Sequence, residues 1–400
     1  MGGAVDSGIG GDGGWPHAVL TERDVSSVRR AARGLLVVVM LLMAFGLAGV
    51  FSAGANITTR PTGTFNQQPL VEQAIHVLLA IAAMLLVARI DPRWIRRQAG
   101  WGLVLAALLL VLVLIPGVGE KIGGARRWIR LAPGVGFQPS ELAKTLVLIY
   151  LAAYLANKGD AIRAFRQGLL APLLVIGVLA GLILLEPDVG TTALLVAVCV
   201  TLLVIAGARP LQLSLLGVAA LTPAVLYVRS SLGYVAQRFE SFLDPPLSSQ
   251  VWHSMHAIAS GGLFGVGLGA GQHKLQYFAE SKNDFVFAVI GEELGFLGVT
   301  ILITLYVALV LCGLRIILAL RDRYALFVAT GLLLLMAFGA IMNMAVATAT
   351  APAKGIPLPF VSAGGSSLMI SAIGVGLVLG LVRAEVEARV AGRCPNPTST

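Results

Sequence analysis

Charged residues are scarce in this sequence, and their scarcity excludes an ordinary soluble protein. Only 12% of the 400 residues are Asp, Glu, Lys or Arg, whereas 57% are hydrophobic. Soluble globular domains carry about 25% charged residues. The composition therefore predicts an integral membrane protein.

Cysteine is also nearly absent. Cys199, Cys312 and Cys394 are an odd number of cysteines without close spacing. They provide neither a disulfide framework nor a metal-binding motif. The other potential metal ligands that attract attention, His253, His256 and His273, have no matching cysteine or acidic set, so we interpret them as structural or surface residues.

Long apolar runs are abundant. A run of about 20 residues is needed to cross roughly 30 Å of hydrocarbon, and ten runs approach or exceed that length. Their approximate bounds are 34–54, 70–90, 99–117, 140–157, 168–185, 189–207, 210–228, 285–314, 324–347 and 367–383. The sequence therefore predicts an all-α integral membrane protein with about ten transmembrane helices and a large extracellular loop, 229–283, between helices 7 and 8.

The distribution of positive charge predicts the orientation of these spans. With both termini in the cytoplasm, the Lys and Arg clusters at 23–33, 93–97, 158–166, 315–323 and 383–393 all lie on the inner side, as the positive-inside rule requires. The net charge of +9 thus reports membrane topology and not nucleic-acid binding.

Three regions follow from this organisation. The Gly-rich start has too few apolar residues to fold, so residues 1–30 are expected to form a disordered cytoplasmic tail. Residues 31–385 form the transmembrane domain, and residues 386–400 form a cytoplasmic C-terminal tail.

One outward loop, 116–139, departs from the positive-inside pattern. It carries Lys121, Arg126, Arg127 and Arg130. These cations are either ordinary solvated loop charges or an anion-binding site at the membrane surface, where Trp128 anchors the loop at headgroup level.

The helix that follows this loop begins with an ion pair at helical spacing. Pro139 suits the first helical turn, and Glu141 and Lys144 are three residues apart, so they lie on one face. A charged pair inside a membrane span is expected to face a cavity or a partner and not lipid.

A second polar group interrupts the apolar stretch SKNDFVFAVIGEELGF at 281–296. Asp284 precedes the apolar run and is either a helix cap or a partly desolvated general base at the membrane surface. Glu292 and Glu293 lie more than two turns deeper and are interpreted as interior carboxylates that organise helix packing. In the outward segment before them, 229–283, aromatic residues predict short amphipathic helices.

Five motifs in order resemble the SEDS family (shape, elongation, division and sporulation) of RodA/FtsW polymerases. They are GARRWI with FQPSELAK, LLEPDVGTT, QRFESFLDP, NDFVFAVIGEELGFLG and KGIPLPFVSAGGSS, and the resemblance spans roughly residues 34–390. It implies a ten-helix glycosyltransferase that polymerises lipid II on the outer face of the bacterial cytoplasmic membrane. Two sequence segments, KLQYFAE and AKGIPLPF, and the extended N-terminal tail are more similar to the division branch of the family than to the elongation branch.

The resemblance also implies roles for individual residues. Asp284 matches the essential aspartate of the family and becomes the expected general base. The expected substrate-binding residues are Arg126, Gln138, Glu141, Lys144, Lys274, Ser362, Gly364, Gly365 and Ser366. The expected supporting residues are Trp128, Glu186, Asp188, Glu292 and Glu293.

The chain departs from the family pattern at two places. Lys282 and Asn283 replace a common His-Thr pair before the aspartate, and Ala363 replaces a tyrosine in the SAGG motif. No role for an adjacent histidine or a loop tyrosine is therefore carried over.

The resemblance also implies the partners of the protein. They are lipid II, a class B penicillin-binding protein, other divisome or elongasome membrane proteins and membrane lipids. A divalent cation, Mg²⁺ or Mn²⁺, suits a pyrophosphate leaving group.

Two other functions compete with polymerisation. A lipid II flippase would also use buried charges, but it should carry polar residues at several depths, and the inner halves of the spans are nearly pure Leu, Val, Ala and Ile. A scaffold that only holds a partner enzyme would not need a basic loop and a carboxylate to converge.

Overall fold

The computed structural model describes residues 22–55, 68–122, 125–132, 135–215, 217, 250–271, 284–352 and 355–391. Ten helices are labelled in chain order. They are α1 Glu22–Ala55, α2 Gln68–Val87, α3 Pro92–Leu114, α4 Pro139–Lys158, α5 Leu170–Leu185, α6 Val189–Ile205, α7 Gln250–Ser260, α8 Val286–Ala319, α9 Arg323–Ala347 and α10 Gly365–Val390. Residues 210–215 begin a further helix.

Eight of the described helices are long and apolar enough to cross a membrane. They are α1 to α5 and α8 to α10, and α6 is an apolar helix of shorter length. The predicted helical membrane class is confirmed, with nine of the ten apolar runs found as described helices. The remaining run, 210–228, is helical at its start and otherwise lies outside the described residues.

The first helix begins earlier than predicted. The tail was predicted to extend to residue 30, yet α1 starts at Glu22. Val28, Ala31 and Leu35 are buried, and their spacing of three and four residues continues the apolar stripe of the membrane span. Ala and Arg between them are strong helix formers, so the prediction of disorder is wrong for residues 22–30.

Helix α4 occupies the centre of the bundle. It contacts α3, α5, α6, α9 and α10, while α2 packs mainly on α10 and α1 on α8. Of the helices long enough to cross a membrane, α4 is the most enclosed, because 72% of its most apolar stretch is buried inside the protein. Ser140, Glu141, Lys144 and Thr145 at the start of α4 are buried inside protein.

The loop 116–139, which was predicted to face outward, forms a small sheet that the sequence did not predict. Strands β1 (Gly119–Ile122), β2 (Ala125–Ala132) and β3 (Val135–Phe137) pair antiparallel in chain order. A Cβ added at Gly136 would lie 3.0 Å from the ring of Trp128. The indole therefore packs across the neighbouring strand, which makes Trp128 part of the fold of this sheet.

Helix α8 is broken in its N-terminal third. Gly295 has φ of 63° and ψ of −159° within the helix, a conformation that glycine tolerates and other residues rarely adopt. Residues 295–319 alone would extend about 37 Å at the helical rise of 1.5 Å. This part is long enough to cross the hydrocarbon without the first turns of the helix.

The glycine-rich segment 261–269 fills the break. The amides of Val266 and Gly267 donate to the carbonyls of Glu292 and Glu293 at 3.0 and 3.1 Å. The amides of Phe296 and Leu297 donate to the carbonyls of Gly262 and Leu263 at 2.9 and 3.1 Å. The segment thus replaces backbone hydrogen bonds that the break removes, as buried polar groups require.

Candidate active site

The predicted ion pair on α4 is present and enclosed. Lys144 Nζ donates to Glu141 Oε1 at 2.8 Å, and the two side chains are 5% and 6% exposed. Gln138 precedes the helix and donates from Nε2 to Ser140 Oγ at 3.1 Å. The start of α4 is therefore polar and faces the interior of the bundle.

The ion pair lines a small cavity of about 30 Å³ between α4, α6, α9, α10 and the segment 356–359. Most of its wall is apolar. The polar side chains on the wall are Glu141, Lys144, Thr145, Ser367 and Ser371. A cavity with an apolar wall and a few convergent polar groups is typical of a ligand site.

Asp284 lies beside this wall. It forms a turn directly before α8 and is half-buried. A Cβ added at Gly355 would lie 3.1 Å from Asp284 Oδ2, so the carboxylate contacts the segment that continues into the cavity wall at Ile356. The structure thereby places Asp284 next to the cavity that contains Glu141 and Lys144.

Asp284 lies one residue before the first capping position of α8. Phe285 occupies the N-cap position, and its own side chain makes no capping hydrogen bond. The capping and catalytic interpretations of Asp284 therefore both stay predictions.

The SAGGSS segment, residues 362–367, contributes only Ser367 to the cavity wall. Ser362 Oγ accepts from the Leu358 amide at 2.8 Å and so closes a turn. Gly365 leaves room for the imidazole of His76, which would lie 2.7 Å from an added Cβ. Among the serines of α10, Ser367 and Ser371 line the wall, whereas the predicted Ser366 is buried and does not line it.

Arg127 attaches the outward sheet to the turn between α5 and α6. Its Nε donates to the Glu186 carbonyl at 3.0 Å, and its second nitrogen donates to the Pro187 carbonyl. Asp188 caps α6 by accepting from the amide and hydroxyl of Thr191 at 3.1 and 2.9 Å. These contacts are consistent with the supporting roles predicted for Glu186 and Asp188.

The carboxyl group of Glu186 is enclosed without a hydrogen-bond partner among the described residues. Glu186 is fully buried. The pKa of Glu186 is raised to about 8, because burial and then the charge of Asp188 raise it more than Arg127 lowers it. The carboxyl is therefore protonated at neutral pH.

The other predicted cations differ in their contacts. Arg130 pairs with Glu120 at 2.5 Å on the exposed side of the sheet. Arg126 lies opposite Lys121 in the sheet and makes no ion pair with a described residue. Lys274 lies outside the described residues, so its predicted contact with substrate stays a prediction.

Glu292 and Glu293 lie in the enclosed first part of α8, where each residue is 2% exposed. Ser52 on α1 donates its hydroxyl to Glu293 and accepts from the Gly269 amide at 2.9 Å. A Cβ at Gly271 would lie 2.8 Å from Glu292 Oε2. These carboxylates thus contact protein on several sides, in agreement with a packing role.

The predicted divalent cation is not decided by this arrangement. Within the described ranges, no three His, Cys, Asp or Glu residues cluster as a ready metal site. Mg²⁺ often binds through one or two carboxylates together with substrate phosphates. Glu141 on the cavity wall and Asp284 beside it are the carboxylates available for such a shared site, and the cation stays a prediction.

Comparison with protein families identifies the fold. The model of the FtsW/RodA/SpoVE family, described as cell cycle protein, matches residues 32–387. The chain belongs to this family. The FtsW of Trichlorobacter lovleyi, named a probable peptidoglycan glycosyltransferase, is 40% identical over 87% of this chain and 92% of its own length. Stage V sporulation protein E of Bacillus subtilis is 37% identical over 87% and 96%.

Solved structures of the FtsW/RodA/SpoVE family share the architecture. A chain from a structure described as a peptidoglycan synthase complex that coordinates polymerization and crosslinking superposes with a TM-score of 0.72 and 29% identity. The matched region covers 88% of this chain and 97% of the solved chain. The rod shape determining protein RodA of Thermus thermophilus gives a TM-score of 0.66 and 29% identity over 88% and 96%.

Proposed function

We propose that this protein is a peptidoglycan glycosyltransferase that polymerises lipid II on the outer face of the bacterial cytoplasmic membrane. Family membership and the names of its relatives support this function. The observation that carries it is the position of Asp284, beside the wall of a cavity that contains a buried Glu141–Lys144 pair.

The geometry suits glycosyl transfer to a sugar hydroxyl. The acceptor hydroxyl attacks the anomeric carbon of the donor, the bond to the lipid pyrophosphate breaks, and the hydroxyl proton passes to the Asp284 carboxylate. Lys144 has three N–H donors and uses one for Glu141. The remaining donors, with Arg126, stabilise the negative charge of the leaving pyrophosphate.

The partners and the orientation belong to the same proposal. A class B penicillin-binding protein crosslinks the strands, which agrees with the peptidoglycan synthase complex among the structural relatives. Both termini lie in the cytoplasm, and other divisome or elongasome proteins associate with the chain. The identity of the 40% relative favours the division branch.

The competing function is movement of lipid II across the membrane. The enclosed Glu141–Lys144 pair is the observation that favours it, because buried charges mark transport paths. The pair, however, lies in the first two turns of α4, at the outward end. A surface enzyme needs polar groups there, whereas a path needs them at greater depth as well.

Polymerisation of purified lipid II by the purified protein tests the proposal. We expect Asp284→Asn to fold normally and to lose about 10²- to 10⁴-fold in rate, the usual contribution of a positioned acid-base group. Asp160→Asn is the matched control, because that carboxylate is 89% exposed in a connector at the opposite end of α4. Near-normal polymer yield from folded Asp284→Asn protein would remove the catalytic assignment.

The same assay separates the two functions. Lys144→Ala and Arg126→Ala should both weaken polymerisation while membrane insertion stays intact. If wild-type protein yields no polymer with or without a candidate partner, but moves lipid II across vesicle membranes, the flippase replaces the polymerase.

A further inference from the structure

A buried amide on α9 connects the two parts of the candidate site. Asn343 is 1% exposed. Its Nδ2 donates to the backbone carbonyl of Asp284 at 2.9 Å and to the backbone carbonyl of Ile356 at 2.8 Å. One side chain therefore holds the residue before α8 and a residue of the cavity wall together.

The contacts use the full donor capacity of that amide. An asparagine NH₂ group has two N–H donors, and each one pairs with a different carbonyl. The two carbonyls belong to segments that are 59 and 13 residues away from Asn343. The backbone of Asp284 is thereby fixed relative to Ile356, and not only relative to its own helix.

Fixing this backbone also fixes where the carboxylate points. Gly355 lies next to Ile356, and a Cβ added to it would lie 3.1 Å from Asp284 Oδ2, so a movement of either segment changes the distance between the carboxylate and the cavity. A displacement of about 1 Å in a catalytic group can cost about 10²-fold in rate. The amide is thus placed to control the geometry of the base.

We infer that Asn343 is a positioning residue, which holds Asp284 against the cavity wall by bridging the two backbone carbonyls. This inference rests on the proposed function, because it gives Asn343 its effect through the general base. Asn343 touches neither the sugar nor the pyrophosphate in this scheme. Its contribution is therefore expected in turnover and not in substrate affinity.

A second buried hydrogen bond near the same end of α9 provides a matched control. Ser254 is fully buried, and its hydroxyl donates to the Ala347 carbonyl at 2.7 Å. That bond ties α7 to α9 without contacting Asp284 or the cavity wall. Ser254→Ala therefore measures what the loss of a buried bond costs when the base is not involved.

The first experiment compares Asn343→Ala and Asn343→Leu with Ser254→Ala in lipid II polymerisation. Leu keeps the branched shape of asparagine at a slightly larger volume, whereas Ala removes the branch, and both remove the two donors. We expect kcat to fall about 10²-fold, with KM changed less than about threefold, since lost transition-state contacts lower kcat alone. Ser254→Ala should lower Tm but keep kcat near the wild-type value.

The second experiment is a double-mutant cycle with Asp284→Asn. If Asn343 acts through the base, then Asn343→Ala should not lower the residual rate of Asp284→Asn protein further. Independent sites would instead give additive losses in the logarithm of the rate. Additive losses would overturn the positioning role and leave Asn343 as a general stability residue.

The remaining outcomes are also decisive. Failure of both Asn343 variants to fold, or kcat values equal to that of Ser254→Ala, would overturn the inference while the catalytic role of Asp284 stands. An active Asp284→Asn protein would instead overturn the proposed function itself. The two failures are therefore distinguishable in one set of variants.

Discussion

At the scale of single residues, Gly355 has no side chain, and this leaves the space that the Asp284 carboxylate occupies. We expect Gly355→Ala to lower the polymerisation rate by about tenfold, because an added Cβ lies 3.1 Å from Oδ2 and displaces the base by a few tenths of an ångström. The measurement is kcat together with Tm, which should stay near the wild-type value.

Gly177→Ala controls for the extra methyl group, because nothing lies within 4 Å of its added Cβ. Equal rates for the two alanine variants would show that the carboxylate tolerates the shift. The contact between residue 355 and Asp284 would then have no part in catalysis.

Glu186 leads to a prediction about pH. Its folded pKa is raised from 4.5 to about 8, so between these values the folded protein holds a proton that the unfolded chain has released. Wild-type stability therefore falls as pH rises across this window, by at most about 1.4 kcal/mol per pH unit. We expect Glu186→Gln to have a higher Tm than wild type at pH 9 and an equal Tm near pH 4.5.

Thermal unfolding in detergent across pH 4.5–9 checks this prediction. Asp160→Asn is the control, because its carboxylate is 89% exposed. A Tm difference between Glu186→Gln and wild type that does not grow with pH would contradict the protonated state of Glu186.

Residue-level prediction from sequence succeeded for charges and failed for neutral polar groups. Glu141 and Lys144 could be predicted as an interior pair, since a charge in an apolar run demands a partner. Asn343 and Ser371 lie in apolar helices and outside the five motifs, so neither a nearby charge nor a motif distinguishes them. Their importance comes from neighbours far away in the chain, which spacing cannot show.

At the scale of elements, the break in α8 depends on one glycine. Gly295→Ala should lower the free energy of unfolding by at least about 1–3 kcal/mol, the cost of left-handed backbone for a residue with a Cβ. That Cβ would also lie 2.3 Å from the Gly265 nitrogen, so the docked segment must move. Gly181→Ala, whose Cβ meets nothing within 4 Å, should be harmless.

Amide hydrogen exchange gives the local measurement for this prediction. Exchange at Val266 and Gly267 should accelerate in Gly295→Ala protein, because their bonds to Glu292 and Glu293 weaken. Unchanged exchange at both amides would mean that segment 261–269 holds its position without the break.

The sheet of strands β1 to β3 could not be predicted from the sequence. The helices follow from apolar length, but strands β1 to β3 are short and carry cations, so no clear alternation marks them. Arg127 was predicted as an outward cation, and only the structure shows it bound to the Glu186 and Pro187 carbonyls. The energy of that contact comes from tertiary pairing, which local sequence does not encode.

At the scale of the whole molecule, the orientation can be tested with two reporter cysteines. Arg130 is 62% exposed in the sheet, and Asp160 is 89% exposed beyond the other end of α4. With the three native cysteines replaced by alanine, a membrane-impermeant maleimide should label Arg130→Cys in intact cells. It should label Asp160→Cys only after permeabilisation, and the reverse pattern would invert the topology.

The overall architecture could be predicted because lipid restricts it. The helices that a bilayer accepts can be recognised in a sequence by their length and apolar content. Nine of the ten predicted apolar runs are helices in the described part of the chain. The start of α1 was missed, since Val28 and Ala31 are buried by α1 packing with the rest of the bundle and not by lipid. Residues 272–283 and the other predicted contacts of the long outward loop lie outside the described part of the chain.

The filled break in α8 also has a consequence for how the protein is made. A membrane helix normally inserts as an independent unit, because all of its backbone bonds lie within the segment. The part of α8 around its break forms four backbone hydrogen bonds with residues 262–267. These residues are translated before the helix. Biogenesis is therefore directional at this point: a circular permutation that translates α8 first would expose unpaired peptide groups until the glycine segment arrived.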